Sequence, residues 1–543
     1  MKTFNTTGIC NPDKNYMVDI TDRLQYMKKM IDNGDYFCIN RSRQYGKTTT
    51  LHALKKYISA DYAVINISFQ KLNTDIYKNV ESFVISITDV FIRNILYAKN
   101  LDNDIKEYAK SIKKDLIHEG NTMIALFNKF TELCSISKKP IVFIIDEVDN
   151  ASNYEIFVDF LAQLRAGYLE RDEIPAFHSV ILCGLYDVKN LKKKMRPDEE
   201  HQTNSPWNIA KDFNYDMRLH ENGISSMLEN YADEHNIYIN TAELSRLIFD
   251  YTDGYPFLVS KICQIIDESN GEISWDKQGF LKAVKILLLE KNTLFESLNG
   301  KINEYPELKK KLNDILFSGT KLSYNQFDYA VNLAEMFGFV KNDNGVIAVS
   351  NRIFELILYD MMIINSDYKK GNIFYEYRLD KNQFIDNGDL NVERVLEKFV
   401  QHFDEVYGDQ DIRFLEDEGR RFFLLYLRPI INGTGHYYIE ARTRNLERTD
   451  VIIDYNGKQY IIELKIWRGD SYNKRGEQQL INYLDYYGID KGYMLSFSFS
   501  KKKKVGSHEV KLGNKALVEA LVGNCIAFGR YISVYLPFSF IFH

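Results

Sequence analysis

The stretch that most constrains this chain is IVFIIDEVD, residues 141–149. Its opening run of apolar residues has no polar face, so a strand here must be covered on both sides, as happens in parallel sheets flanked by helices. Such a strand delivers its closing acids, Asp146 and Glu147, to the crevice at the carboxyl end of the sheet. Upstream, β-like FCIN (37–40) runs into RSRQYGKTT and then into an amphipathic stretch, so Gly46, Lys47, Thr48 and Thr49 sit where a strand passes into a helix. N–H groups at a helix start, together with its dipole, favour phosphate. Lys47 is placed to reach the β- and γ-phosphates of ATP, and Thr48 to ligate Mg²⁺. Asp146 is expected to complete the Mg²⁺ shell and Glu147 to polarise the attacking water. The full loop pattern also wants glycine at 41, where this chain has Arg41. Further apolar runs, YAVINIS (62–68) and AFHSVILCGL (176–185), alternate with helical stretches. That alternation predicts an α/β fold around a parallel sheet.

Together, RSRQYGKTT, IIDEVD and the later GYP resemble the AAA+ P-loop ATPases of the signalling branch related to archaeal ATPases and STAND proteins, over roughly residues 10–360. The resemblance implies that SVILCGLYD carries a nucleotide-sensing position and that SPWNIAKDFNYDMRL (205–219) leads into a helical lid. Within the lid, Gly254-Tyr255-Pro256 heads a helix, where proline is pre-organised and needs no N–H partner. In the resembled family this motif sits over the nucleotide, which makes Pro256 a cofactor-binding candidate. Strand, Asn-Gly turn, strand and helix over FGFVKNDNGVIAVSNRIFELILYDMM read as a winged-helix module with few basic residues, hence a spacer.

A second constellation lies in RTDVIIDYNGKQYIIELK, residues 448–465. Asn456-Gly457 between apolar runs is a strong two-residue hairpin signal. If 455 pairs with 458, Asp450 stands opposite Glu463, and Lys465 shares their face. Two facing carboxylates destabilise a sheet unless something neutralises them, and they suit a hard cation such as Mg²⁺ or Mn²⁺. A neighbouring lysine can stabilise charge on a phosphate. Asp450 with Glu463-Leu464-Lys465 resembles the PD-(D/E)xK nuclease superfamily. The helix GEQQLINYLDYYG, with Gln478 or Gln479 and Tyr483, resembles the Q-x-x-x-Y helix of many such enzymes, and Glu418 falls where the superfamily carries an extra acidic ligand. Gln479 is the candidate carried forward.

The expected organisation is an ATPase core (1–220), a helical lid (221–300), a winged-helix-like module (301–365), a linker (366–390) and an α/β nuclease-like domain (391–543). Net charge is −6, so a nucleic-acid surface must be a local patch, with Arg442, Arg444, Arg448 and Lys501–Lys504 as candidates. The six cysteines (10, 38, 134, 183, 263 and 525) show no CxxC spacing, which suits buried thiols in a reducing cytosol. The start MKTFNTTGICNPDK has no apolar signal core, and no apolar run is long enough to span a membrane. The expectation is a cytoplasmic, ATP-controlled, metal-dependent nuclease acting on DNA rather than RNA, with self-association left open. Its rivals are a nucleotide switch with a vestigial nuclease domain and a nucleic-acid motor.

Overall fold

The computed structural model describes residues 2–184, 207–317, 323–325, 327–365, 381–407, 416–431, 435–438, 451–467, 470–498, 506–512 and 514–523. They fall into two compact units. The first comprises residues 1–276, 292–298 and 326–340, and the second 277–291, 299–325 and 341–543.

The first unit is built on five parallel strands: β1 (Phe37–Asn40), β2 (Ala63–Ser68), β3 (Ile141–Asp146), β4 (Ser179–Gly184) and β5 (Lys211–Asp212). Their order is β2-β3-β4-β1-β5. Every residue of β3 is buried, as its apolar run requires. Val142 and Ile144 face one layer, with Leu24, Met27, Leu51 and Leu54 from the helices Thr21–Asp32 and Lys47–Tyr57. Phe143 and Ile145 face the other, with Phe83, Phe91, Phe130 and Phe160. That layer comes from the helices Val80–Tyr97, Asn103–Glu119, Met123–Ile136 and Glu155–Glu170. After β3 the chain makes a short 3₁₀ turn, Val148–Asn150, and the next helix begins only at Glu155.

Three helices follow, Glu221–His235, Thr241–Thr252 and Pro256–Asp267. Asp253 (φ 48°) and Gly254 (φ 68°) are both left-handed between the last two. A Cβ on Gly254 would stand 2.4 Å from the Leu219 carbonyl oxygen, so only glycine allows this approach. The hairpin β6 (Val340–Asp343) and β7 (Val346–Val349) turns at Asn344-Gly345, both with positive φ, and the helix Arg352–Asn365 follows.

The second unit holds β6 from Lys341 onward, β7 and the helix Arg352–Asn365, a short hairpin, β8 (Ile385–Asp386) and β9 (Asp389–Leu390), and a six-stranded mixed sheet. The sheet's strands are β10 (Gly435–Tyr438), β11 (Val451–Tyr455), β12 (Lys458–Trp467), β13 (Lys491–Ser498), β14 (Gly506–Leu512) and β15 (Lys515–Val522), ordered β10-β11-β12-β13-β15-β14. Phe399 and Phe403 of the helix Val392–Tyr407 pack on Phe497, covering one face. Leu480 and Leu484 of the helix Asp470–Tyr487 cover the other face, where a Cβ on Gly492 would lie 2.9 Å from Leu484.

On β10, burial lowers the pKa of His436 to about 4, helped by the charge of Lys285. The unfolded chain therefore takes up this proton more readily. This contribution to stability is present above pH 6.5 and is lost as pH falls toward 4. We expect the second unit to lose up to about 2 kcal/mol between pH 7 and pH 5 from this group, and His436→Gln to remove that part. Urea unfolding at the two pH values, followed by hydrogen exchange in β10–β12, checks it.

Candidate functional site

The loop between β1 and the helix Lys47–Tyr57 crosses the carboxyl end of the parallel sheet. Gly46, with φ 79°, caps the helix in a left-handed conformation, and Gln44 is left-handed too (φ 54°). Arg41 is not among the residues with positive φ, so its position does not demand glycine. Its guanidinium donates to the carbonyls of Asn40 (2.8 Å), Phe213 (3.3 Å) and Tyr215 (3.0 Å), tying the loop to the segment after β5. Arg23 ties the same segment to the helix, donating to Thr50 Oγ1 (3.0 Å) and the Met217 carbonyl (2.8 Å).

Lys47 is buried and donates to the carbonyls of Arg41 (2.9 Å) and Ser42 (3.0 Å). Thr48 Oγ1 donates to Asp146 Oδ2 at 2.9 Å, joining the helix start to the end of β3. Thr49 Oγ1 accepts from the Cys10 backbone N–H at 3.3 Å. Glu147 stands next along the chain with left-handed backbone, φ 57°. Burial raises its carboxyl pKa, Asp146 adds to the rise and Lys47 opposes it. A Cβ on Gly184, at the end of β4, would lie 2.8 Å from Asp149 Oδ1.

The lid motif lies on this loop. A Cβ on Gly46 would stand 3.9 Å from Pro256 Cβ, and the Tyr255 ring meets Tyr45 edge-on at 4.9 Å. The Tyr255 hydroxyl donates to the Arg43 carbonyl and lies 3.3 Å from Ser42 Oγ. Gly46, Lys47, Thr48, Thr49, Asp146, Glu147 and Pro256 are thus gathered at one place. Ser42, Tyr255 and the tethers from Arg23 and Arg41 were not among the expected site residues. Only the proline beside Tyr255 and the basic character of RSR hinted at them.

In the second unit Asn456 (φ 48°) and Gly457 (φ 78°) form the hairpin turn, and Tyr455 pairs with Lys458 through to Val451 with Ile462. Asp450, one step further, lies outside the described residues, as do Arg442, Arg444, Arg448 and Lys501–Lys504. Glu463 is 2% exposed, with Lys465 Nζ 3.1 Å from its Oε1. Glu418 is in the helix Glu416–Ile431 and Gln479 in the helix Asp470–Tyr487, their side chains outside the described ones. Tyr483 is buried. The same sheet face carries residues that sequence reasoning missed. Lys465 is beside Ser496 in register, Ser496 Oγ donates to Glu519 Oε1 (3.2 Å), and His508 Nε2 is 3.3 Å from Glu519 Oε2. Among the described residues no group of three His, Cys, Asp or Glu is placed to hold a metal ion. No described helix is long and apolar enough to cross a membrane.

A loop that heads a helix at the carboxyl end of a parallel sheet, with its lysine and threonine beside a strand-ending aspartate, is the arrangement of P-loop ATPases. Residues 13–360 match the AAA-like domain family, and the chain belongs to it. No curated protein matches the chain. Among solved structures it is similar to the Walker-type ATPase of Pyrococcus abyssi, at 12% identity, covering 66% of this chain and 99% of that one with a TM-score of 0.45. The Aeropyrum pernix ORC2 protein, solved in ADPNP–ADP complexes, is 13% identical over 66% of this chain and 97% of its own, with a TM-score of 0.36. The Aeropyrum pernix ORC1 protein, solved in complex with DNA, is 10% identical over 64% and 93%, with a TM-score of 0.30. These likenesses are too low to carry an assignment, and the family match carries it.

Arg41→Gly restores the glycine of the loop pattern but deletes three hydrogen bonds from a charged donor. We expect it to bind ATP and to lose about 1.5–3 kcal/mol of stability, at the scale of one bond to a charged group. Thermal unfolding beside an ATP titration checks both.

Proposed function

We propose that the chain binds and hydrolyses ATP with Mg²⁺ at Lys47, Thr48 and Asp146, and that the nucleotide controls a metal-dependent nuclease centred on Asp450, Glu463 and Lys465. The observation that carries the ATP reading is the hydrogen bond from Thr48 to Asp146 beside the buried Lys47. A hydroxyl and a carboxylate at this separation fit a hard cation that keeps most of its waters. When bound, Mg²⁺ would be held by Thr48 and Asp146 and would offset phosphate charge. Lys47 exchanges two carbonyl partners for phosphate oxygens, an exchange of neutral acceptors for charged ones. Thr49 and the loop N–H groups orient the phosphates, Pro256 closes over Gly46, and Glu147 takes the proton of the attacking water.

The nuclease reading is supported by Glu463 and Lys465. A carboxylate this deeply buried is retained at a cost, and a lysine two residues on meets it on one face. The described hairpin register ends at Val451 opposite Ile462, the residues that adjoin Asp450 and Glu463 in the sequence. DNA is the substrate proposed, with residues 391–543 as the nuclease module. A nucleotide switch that no longer cuts is the alternative outcome of the same experiments.

Lys47→Ala should weaken ATP binding by at least about 1.5–3 kcal/mol, the scale of hydrogen bonds to a charged group. Glu147→Gln should bind ATP as the wild type does and hydrolyse it about 10²–10⁴-fold more slowly. Calorimetric titration and single-turnover hydrolysis separate the two, and equal turnover in wild type and Glu147→Gln removes that assignment.

Asp450→Asn should abolish Mg²⁺- or Mn²⁺-dependent cutting of plasmid DNA and weaken metal binding. Lys465→Ala should abolish cutting while largely sparing metal affinity, because its charge acts on the phosphate. A purely structural ion pair predicts no such split, and cutting that persists in both variants rules the centre out.

A further inference from the structure

A glycine from far along the chain is seated on the phosphate-binding loop. The helix Tyr329–Met336 ends in a left-handed turn at Gly338 (φ 80°), where Gly338 N–H donates to Glu335 O at 2.9 Å and Phe339 N–H to Ala334 O at 2.8 Å. That pair of bonds is a common helix ending and by itself explains a glycine. Gly120 ends the helix Asn103–Glu119 in the same left-handed way, and a Cβ there would meet nothing within 4 Å. Gly338 differs: its Cβ would stand 2.9 Å from Ser42 Oγ and 3.0 Å from Ser42 Cβ. The turn therefore rests on Ser42 with room only for hydrogen.

Ser42 is tied to three other parts of the site. Its carbonyl accepts from Lys47 at 3.0 Å, its hydroxyl lies 3.3 Å from the Tyr255 hydroxyl, and its side chain abuts Gly338. Only 6% of it is exposed, so it has little freedom to move without moving its neighbours. A phosphate that draws Lys47 away takes from the Ser42 carbonyl the donor shown here. From Gly338 the chain runs through Phe339 directly into β6, Val340–Asp343, which pairs with β7.

We propose that the Gly338 turn reads the occupancy of the phosphate-binding loop through Ser42 and passes it to the β6–β7 hairpin, a regulatory contact separate from Pro256. The inference rests on the nucleotide reading above. A coupling of this kind is reciprocal, so a change forced at Gly338 must return to the loop as a change in ATP affinity. Asparagine tolerates the left-handed conformation that the helix ending needs, but brings the Cβ that Ser42 excludes.

The test uses the full chain, with ATP titrated by calorimetry and hydrogen exchange measured at residues 337–349 with and without ATP. In the wild type, ATP should alter exchange there. Gly338→Asn should weaken ATP binding at least fivefold and blunt that response, whereas Gly120→Asn, with the same backbone demand and no neighbour, should do neither. A wild type that binds ATP with unchanged exchange at 337–349 overturns the inference and leaves the nucleotide reading standing. So does a folded Gly338→Asn that binds ATP as the wild type does. A wild type that fails to bind ATP removes the nucleotide reading, and this inference with it. Should Gly338→Asn fail to fold, the wild-type exchange experiment still decides.

Discussion

The hydrogen bond from Thr48 to Asp146 joins the two halves of a crevice made by different parts of the chain in the first unit. One such bond contributes only about 1 kcal/mol of stability. It forms because β3 is buried along its whole length between β2 and β4, while β1 pairs with β4 and hands Lys47 and Thr48 to the same edge. The apolar layers on either side of Val142, Phe143, Ile144 and Ile145 supply the stabilisation, and the site inherits its geometry from them.

Two lysines, Lys47 buried and Lys465 largely so, meet the same physical demand in different ways. Taking an ammonium from water is expensive unless its protons find acceptors. Lys47 finds two backbone carbonyls of its own loop, and Lys465 finds the Glu463 carboxylate. Neutral carbonyls are partners that an anion can displace. A buried carboxylate at 3.1 Å holds its lysine by charge, and releases it most readily when a cation takes the carboxylate. Under the proposed function, a phosphate would compete with the carbonyls that hold Lys47, and a cation would compete with Lys465 for Glu463.

Arg41 shows how a motif can depart from its pattern without losing its shape. The loop takes its left-handed turns at Gln44 and Gly46, so a side chain at 41 meets no backbone objection. Turned toward Phe213 and Tyr215, it becomes a tether that glycine could not supply.

Much of this was legible in the sequence where the signal is local. The apolar run 141–145 announced a strand buried on both faces, GKTT after FCIN announced a helix start, and Asn456-Gly457 announced the pairing of Tyr455 with Lys458. Each of these follows from side-chain periodicity or backbone preference within about ten residues. What the sequence could not reveal are partners brought together by the stacking of layers: Arg41 with Tyr215, Tyr255 with Arg43, Gly338 with Ser42, and Ser496 with Glu519 and His508. No periodicity encodes these contacts. They depend on strand order, on helix ends meeting a distant loop, and on which side chains share a face once the strands have paired. The sequence by itself determined the elements and the chemistry carried at their ends, and the tertiary structure alone decided which of those ends meet.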